Sequence, residues 1–305
     1  MTLLSLPTLR TVFGDRLQEH VPLASYTSAR IGGNADAFII ARSADELGEI
    51  MSQLWEMKTP YLLLGSGSNL LISDTGFRGV VVLNRAKEIR FNEGENPRVW
   101  AESGAGLIRV ANQAVLRGLD GLAWAATIPG TVGGAVYGNA GAFGGDVASV
   151  LTQVEMLTKH GRETWFVSDM KYAYRSSTLK GVAINCVILS AEIKLKKGDQ
   201  AQIQARMRSF IQKRKNSQPP GASMGSMFKN PEGDYAGRLI EEAGLKGTRI
   251  GSVEISTKHA NFFINYGETK ASDVKALIEL AQREVFEKFG VSLELEIELI
   301  GEWHE

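Results

Sequence analysis

Two uncharged glycine-rich segments are the features of the sequence best suited to binding a large ligand. Residues 65–69 read Gly-Ser-Gly-Ser-Asn after an apolar run, and residues 128–141 contain five glycines. Successive small residues let backbone N–H groups converge on an anion, and glycine lets the backbone approach a flat or phosphorylated ligand closely. Together they suit a dinucleotide whose phosphates are held by main-chain amides. For each segment the alternative is a close-packed structural turn.

Two polar motifs carry residues that could act on a substrate. Residues 225–231, Gly-Ser-Met-Phe-Lys-Asn-Pro, place a hydroxyl at Ser226, a cation at Lys229 and an amide at Asn230 close together. A polar ligand with a reacting centre needs such a set, although Ser226 would equally suit a turn. Arg175, in Tyr-Arg-Ser-Ser, offers a planar fork for a carboxylate, with a solvated surface cation as the alternative.

Several familiar sites are not present in the sequence. Residues 65–69 are not a Walker loop, because no Gly-Lys-Ser/Thr follows, and Leu70 stands where a dinucleotide fingerprint has its third glycine. The chain has four histidines, among them His259, and one cysteine, and no cluster of them has the spacing of a zinc site. The sequence therefore predicts no metal centre.

Composition limits the kind of partner. A chain of 305 residues with 44% hydrophobic and 22% charged residues predicts a globular protein with two or three folding units. Lys+Arg and Asp+Glu both number 34, so the chain lacks the basic field that nucleic acid or an anionic membrane would need. Residues 121–145 carry no charge, but Pro129 and eight glycines favour a buried loop over a membrane helix.

The single cysteine and the N-terminus indicate a reducing compartment. Cys186 cannot form an internal disulfide, and its apolar surroundings predict a buried core thiol. Residues 1–10 contain no long apolar stretch after a basic start, so no secretory signal is expected. The expected location is the cytoplasm.

Periodicity and capping signals predict the elements that position the motifs. A capping box at Ser43–Glu46 starts a helix to about Met57, and a second helix begins at Leu107. The predicted strands are residues 61–64, 80–83, 99–102, 154–157, 162–166 and 187–194, the last three forming a mostly antiparallel sheet.

The last third of the chain predicts another helix-and-strand domain. Residues 201–215 form a charged helix, followed by an extended connector over residues 216–225. A further helix is capped by Ser272 and ended by Gly290. Residues 291–300 alternate as a strand with Glu296 on the polar face, where periodicity alone predicts a row of solvent-facing acids.

The motifs, taken in order, resemble the UDP-N-acetylenolpyruvoylglucosamine reductase family, whose members are flavoenzymes of peptidoglycan precursor synthesis. Each motif alone is modest, but the ordered set is specific, and it runs from about residue 20 to the end. The matching stretches are residues 27–33, 63–70, 128–141, 174–177, 225–231, 236–247 and 258–265.

The resemblance implies an α+β protein with an FAD-binding fold of the vanillyl-alcohol-oxidase type. Residues 1–84 and 85–200 would be its two FAD-binding subdomains, and residues 206–305 a C-terminal substrate-binding domain. In the family, the Arg of Tyr-Arg-x-Ser, the Ser of Gly-Ser-x-Phe-Lys and a Glu on the last strand are catalytic. These correspond to Arg175, Ser226 and Glu296 in this sequence.

The resemblance also assigns ligand-binding residues. Non-covalent FAD would be bound by Arg30, Gly32, Gly65, Ser66, Gly67, Ser68, Asn69, Pro129, Gly130, Gly133, Gly134, Asn139 and Gly141. The UDP-sugar substrate would be bound by Tyr174, Lys229, Asn230 and His259. NADPH would be the co-substrate.

The implied reaction reduces UDP-N-acetylglucosamine enolpyruvate to UDP-N-acetylmuramate. Hydride would pass from NADPH through the flavin to the β-carbon of the substrate's double bond. Arg175 would stabilise the charge that builds on the α-carbon and its carboxylate. Ser226 would protonate the α-carbon, and Lys229 would stabilise the resulting alkoxide. Glu296 would act in its protonated form or by orienting Arg175.

Two other functions remain open. One is a different oxidoreductase of the same flavin fold, acting on a hydroxy acid or sugar alcohol; many of those tether the flavin through a histidine, which neither glycine-rich segment contains. The other is a nucleotide-binding protein without turnover. The short spacing from Arg175 to Ser226, with no tyrosine between them, resembles the compact second subtype of the family. No nucleic-acid, membrane or obligate protein partner is expected.

Overall fold

A computed structural model describes residues 5–180 and 185–303, in which helices and strands are mixed along the chain. The helices are α1 (Leu6–Phe13), α2 (Ala44–Glu56), α3 (Leu107–Leu116), α4 (Val132–Gly138), α5 (Val147–Val150), α6 (Gln200–Ser217), α7 (Ala236–Glu242) and α8 (Ala271–Phe289). Among these described helices, none has the length and apolar character needed to cross a membrane.

The strands form six small sheets or ribbons. They are β1 (Gln18–Pro22), β2 (Asn34–Ala41), β3 (Tyr61–Leu64), β4 (Leu70–Ile72), β5 (Phe77–Asn84), β6 (Ile89–Asn92), β7 (Arg98–Glu102), β8 (Leu119–Asp120), β9 (Gly141–Ala142), β10 (Gly145–Asp146), β11 (Leu151–Thr158), β12 (Gly161–Phe166), β13 (Cys186–Lys194), β14 (Lys196–Lys197), β15 (Arg249–Ile250), β16 (Val253–Ile255), β17 (Phe263–Asn265) and β18 (Glu298–Ile300). The strand orders are β1-β2-β5-β3, β12-β11-β13-β7-β6 and β15-β16-β17, with the pairs β9-β10, β8-β14 and β4-β18.

Packing divides the chain into two compact units. Of the described residues, the first unit contains 39–65, 82–180 and 185–214, and the second contains 5–38, 66–81 and 215–303. The predicted boundaries assumed contiguous domains. Residues 85–200 do lie within the first unit, whereas the predicted domain 1–84 contributes to both units. The three-domain division therefore stays a prediction.

The first unit is built around a five-stranded antiparallel sheet. Strand β11 pairs with β12 and β13, with Val154 opposite Ala191, and β13 pairs with β7, with Ser190 opposite Glu102. Val110 of α3 is buried in the same cluster as Val154. The predicted strands and the antiparallel sheet are confirmed.

Helix α2 begins as its sequence predicts. The Ser43 hydroxyl accepts a hydrogen bond from the backbone N–H of Glu46 at 3.1 Å. The Glu46 carboxylate accepts from the N–H of Arg42 at 2.7 Å, one residue earlier than in a standard capping box. The buried face includes Leu47, Ile50, Met51 and Leu54, as the periodicity predicted.

The second unit has its core between α8, α7 and the β15-β16-β17 sheet. Val274, Leu277, Ile278, Ala281 and Val285 line the buried face of α8. Gly290 ends the helix in the left-handed conformation, with φ +68°, as predicted. Met224 and Met227 are buried in the same cluster.

The predicted strand over residues 291–300 is wrong for most of its length. Only Glu298–Ile300 is a strand, and it runs parallel to β4. Leu295 instead forms an antiparallel bridge to Phe228, and the chain bends at residues 296–297. The bend arises because the segment changes its pairing partner at that point.

The predicted cap of α8 is also wrong. The helix begins at Ala271, so Ser272 lies inside its first turn. The carboxylate of Asp74 accepts hydrogen bonds from the N–H groups of Ala271, at 2.6 Å, and Ser272, at 3.0 Å. An acid from a distant loop therefore satisfies the first two N–H groups of the helix, which was expected to be capped by a local serine.

Three smaller expectations are modified. Helix α6 continues to Ser217, two residues into the predicted connector. Cys186, at the start of β13, is half-buried, and burial raises the pKa of its thiol. Residues 121–145 are not one loop, because they include the short helix α4.

We expect Asp74→Ala to lower the free energy of unfolding by about 1–2 kcal/mol, the range for losing a helix N-cap. Urea unfolding followed by circular dichroism measures this. Ser272→Ala is the matched control and should change stability by less than about 0.5 kcal/mol. Equal losses in the two variants would contradict capping by Asp74.

Candidate functional site

The second glycine-rich segment leads into helix α4, and three backbone N–H groups at the start of that helix donate hydrogen bonds within the protein. Thr131 caps the helix, its hydroxyl accepting from the N–H of Gly134 at 3.2 Å. The N–H of Val132 donates to Ala105 O, and that of Gly133 donates to Ser103 O, both at 2.8 Å. Because these amides hold the helix in place, any anion binding by this segment must use its other main-chain groups.

The glycines of the first unit serve two different purposes. A Cβ added at Gly133 would lie 2.9 Å from Ser103 Cβ, and one added at Gly65 would lie 2.7 Å from Thr131 Oγ1. Packing alone therefore requires glycine at both positions. Gly134 is exposed, and an added Cβ would meet only Thr131 Oγ1 at 3.5 Å. The surface of Gly134 can therefore lie against a ligand.

The turn that carries Arg175 is fixed to the end of α4. The Tyr172 hydroxyl donates to Val136 O at 2.9 Å, and the Ser177 hydroxyl donates to Tyr137 O at 2.6 Å. Asn139 ends α4 with φ +46°, and its amide donates to Ala173 O at 3.1 Å. These bonds immobilise both sides of Arg175.

Arg175 itself is partly buried and held at its guanidinium. Its backbone is in the left-handed region, with φ +54°. One guanidinium N–H donates to Gly141 O at 3.1 Å, and the group lies 5.1 Å from the ring centre of the exposed Tyr174. Arg175 is therefore an oriented cation, and the solvated surface alternative is not what the structure shows.

The segments that carry Ser226 and Glu296 are paired with each other in the second unit. The backbone N–H of Glu296 donates to Met227 O at 2.9 Å, and that of Lys229 donates to Glu294 O at 2.8 Å. The Ser226 segment and the segment before β18 thus run side by side, although they are far apart in sequence. Both Ser226 and Glu296 are half-buried.

The first glycine-rich segment joins the same place. The Asn69 side-chain amide donates to Glu296 O, and the N–H of Glu298 donates to Asn69 O, both at 3.0 Å. Gly67 has φ +57°, and a Cβ there would overlap the carbonyl oxygen of Tyr26. The segment is therefore a fixed loop that requires glycine at residue 67.

Residues 26–33 lie beside that loop. The N–H of Ser28 donates to Gly67 O at 3.0 Å. Arg30 is exposed with φ +58°, and Gly32 has φ +141°. The structure thus brings Arg30 and Gly32 near Ser66, Gly67, Ser68 and Asn69, all within the second unit.

Asn261 is a structural residue of this site that the sequence interpretation did not single out. It is buried, its Oδ1 accepts from Phe228 N–H at 2.9 Å, and its Nδ2 donates to Phe228 O at 2.8 Å. The Asn261 side chain thereby makes with Phe228 the pair of hydrogen bonds that a neighbouring strand would otherwise make. An amide inside the apolar stretch 260–264 was the available sequence signal.

The expected substrate residues of the second unit already have protein partners. Lys229 Nζ lies 3.1 Å from the exposed carboxylate of Glu294, and Asn230 Oδ1 accepts from Ala236 N–H at 3.1 Å. His259 Nδ1 accepts from Asn261 N–H at 3.3 Å. Burial, followed by the charge of Lys246, lowers the pKa of His259. The substrate-binding roles of these residues remain predictions.

Two other chemistries find no support. A serine hydrolase was disfavoured from the sequence on the interpretation that it contains no Gly-x-Ser-x-Gly nucleophile elbow, and that interpretation is wrong, because residues 221–225 read Gly-Ala-Ser-Met-Gly. They follow α6 and lead into no helix, so the strand–turn–helix geometry of an elbow is not formed. Within residues 5–180 and 185–303, no three His, Cys, Asp or Glu side chains group as metal ligands.

Two family models match the chain. One, described as an FAD binding domain, matches residues 35–166, which include both glycine-rich segments. The other, described as the C-terminal domain of UDP-N-acetylenolpyruvoylglucosamine reductase, matches residues 212–300. The first model confirms the flavin-binding fold that the motifs implied.

Relatives with that reductase name match almost the whole chain. A protein of Chloroflexus aurantiacus is 44% identical over 92% of this chain and 96% of its own length. One from Listeria welshimeri is 42% identical over 92% of this chain and 94% of its own length. The crystal structure of UDP-N-acetylenolpyruvylglucosamine reductase from Thermus caldophilus has a TM-score of 0.79 and 33% identity, covering 93% of this chain and 98% of that one.

We expect Gly134→Val to abolish flavin binding without unfolding the protein. Valine has a higher helix propensity than glycine, and the added atoms would enter the open surface of α4. FAD titration by flavin fluorescence and the Tm of the FAD-free protein measure the two effects. Gly133→Ala should do the reverse and lower the Tm, because its Cβ would press on Ser103. Normal FAD affinity in Gly134→Val would contradict contact with the flavin.

Proposed function

The chain belongs to the UDP-N-acetylenolpyruvoylglucosamine reductase family, and from this membership we propose how its residues divide the work. It is a flavin-dependent oxidoreductase that uses FAD and NADPH to reduce UDP-N-acetylglucosamine enolpyruvate to UDP-N-acetylmuramate in peptidoglycan precursor synthesis. The observation that carries this function is the 44% identity to a reductase over 92% of the chain. Its proposed location is the cytoplasm.

The residues fit a bound dinucleotide. In the first unit the exposed surface of Gly134, and in the second unit the rigid loop at Gly67, each offer backbone that a flat, phosphorylated ligand can approach. FAD, when bound, supplies the hydride chemistry of the reaction. The residues proposed to hold it are those of the two glycine-rich segments, apart from the side chain of Asn69, which bonds Glu296 O, together with Arg30 and Gly32.

Arg175 is proposed to stabilise the negative charge that develops on the substrate. Its guanidinium is already oriented by Gly141 O and Tyr174, so little reorganisation is needed when the charge appears. A cation fixed in this way favours the transition state more than the bound substrate.

Ser226 is proposed to protonate the substrate α-carbon. A serine is a weak acid, but an enolate-like carbanion is a strong enough base to take its proton. Pairing with residues 294–296 fixes the Ser226 segment, and Lys229 lies on the same segment. Because Lys229 is paired with exposed Glu294, which holds it only weakly, it is able to turn towards an alkoxide. Glu296 is the third proposed catalytic residue.

We expect Arg175→Ala to reduce kcat much more than it raises KM, because the charge of Arg175 matters most once the enolate forms. Steady-state kinetics with the enolpyruvyl substrate measure both constants. Arg98→Ala, which removes a surface arginine paired with Glu192 in the same unit, is the control and should leave both unchanged. A raised KM with normal kcat would make Arg175 only a substrate anchor.

We expect Ser226→Ala to separate the two halves of the reaction. The FAD-loaded wild type should lose its flavin absorbance with NADPH and regain it with the enolpyruvyl substrate under anaerobic conditions. In the variant, reduction by NADPH should be normal, and reoxidation by the substrate should slow by about 10²–10⁴-fold, the usual contribution of a positioned proton donor. Anaerobic stopped-flow measures each half alone.

The same experiment tests the function itself. A wild type whose flavin is reduced by NADPH but is not reoxidised by the enolpyruvyl substrate would contradict the proposed substrate and favour another oxidoreductase of this fold. Ser226→Cys should keep part of the reoxidation rate, because a thiol still donates a proton. Equal slowing of both halves in Ser226→Ala would remove Ser226 from the donor role.

A further inference from the structure

We propose that the side chain of Asn69 is a positioning residue for Glu296 and not a ligand of the flavin. The resemblance assigns Asn69 to the cofactor with the rest of its glycine-rich segment. The structure shows the side-chain amide nitrogen of Asn69 donating to Glu296 O at 3.0 Å, and the main-chain carbonyl oxygen of Asn69 accepting from Glu298 N–H at 3.0 Å. The proposal rests on the catalytic part proposed for Glu296.

The chain bends at residues 296–297. Asn69 bonds to one side of this bend, and the Ser226 segment bonds to the other side. Met227 O accepts from the N–H of Glu296 at 2.9 Å, so both polar groups of the Glu296 backbone have partners. The two partners come from two of the family motifs, residues 63–70 and 225–231. The backbone of Glu296 is therefore fixed in direction as well as in place.

The bend needs such a clamp because the chain changes partners there. Leu295 pairs with Phe228, whereas Glu298–Ile300 pairs with β4 in the parallel direction. Pairing with the Ser226 segment ends at the N–H of Glu296, and pairing with β4 begins only at Glu298, so the Glu296 carbonyl has no partner in either ladder and the Asn69 side chain supplies the donor. An asparagine is suited to this, because its short side chain ends in an N–H donor, which aspartate lacks.

The loop that carries Asn69 is rigid enough to act as a reference point. Gly67 packs against the carbonyl of Tyr26, and its own carbonyl accepts from Ser28 N–H at 3.0 Å. On the other side, β4 continues directly from Asn69 and pairs with β18. Asn69 thus lies between two fixed points, and losing its amide would free the bend and not the loop.

Three variants test the proposal. Asn69→Ala and Asn69→Asp both remove the amide donor, and Gln282→Glu is the matched control. Gln282 donates its side-chain amide to Leu293 O at 2.9 Å, in the same segment but three residues before Glu296. All three variants therefore lose the same kind of bond to the same stretch of chain.

We expect both Asn69 variants to keep FAD affinity and the rate of flavin reduction by NADPH within about threefold, because no flavin contact is lost. Reoxidation by the enolpyruvyl substrate should slow by about 10- to 100-fold, the effect of a catalytic group displaced by about 1 Å. Gln282→Glu should reoxidise at close to the wild-type rate. FAD titration and anaerobic stopped-flow measure these quantities.

The pH dependence gives a second readout. In Asn69→Asp, the introduced carboxylate faces the carbonyl of Glu296 at neutral pH, and on protonation it regains an O–H donor. The reoxidation rate of Asn69→Asp should therefore rise relative to that of Asn69→Ala as the pH is lowered from 7.5 towards about 5, near the upper end of carboxyl titration. A purely structural loss would give the two variants parallel profiles.

Two results would overturn the proposal. Weak FAD binding with equal slowing of both half-reactions would make Asn69 a flavin ligand, and slow reoxidation in Gln282→Glu as well would indicate general loosening of the segment. The catalytic role proposed for Glu296 is tested separately. If the flavin of Glu296→Gln is reoxidised by the substrate at the normal rate, that role is contradicted, whatever the Asn69 variants do.

Discussion

Irregular backbone must have its polar groups hydrogen-bonded, and in this protein asparagine side chains meet that need at each proposed catalytic residue. Asn139 donates to Ala173 O beside Arg175, Asn261 makes two bonds to Phe228 beyond Ser226, and Asn69 donates to Glu296 O. An unpaired buried peptide group would cost about 1–3 kcal/mol, so each amide fixes one local conformation. The positions of the three proposed catalytic residues depend on these three side chains.

Steric limits explain why the glycines are not equivalent. Gly65 and Gly133 are required because side chains and backbone of their own unit occupy the space of a Cβ, and Gly67 is required by its backbone conformation as well. Gly134 is different, because its surface is open. A glycine-rich motif therefore mixes residues that shape the loop with residues whose backbone is open to approach.

Charged side chains contribute less to the proposed site than the motifs alone suggest. The chain has no net charge, and Lys229 is paired with an exposed acid. Arg175 is the clearer case of a prepared charge, because a carbonyl and an aromatic ring both orient its guanidinium. Preorganisation of one cation within a fixed turn is more effective in catalysis than a high density of mobile charges.

The sequence by itself determined the structural features that depend only on neighbouring residues, and it determined the family to which the chain belongs. The cap at Ser43, the buried face of α8 and its end at Gly290 are set by interactions within a few residues, and the ordered motifs identified the family. Only the tertiary structure decided the bend at Glu296, the capping of α8 by Asp74 and the meeting of Asn69 with Glu296. Local propensity could not predict these, because each depends on a partner from a distant part of the chain. Alternation over residues 291–300 predicts one strand, but the available partners divide that segment between two.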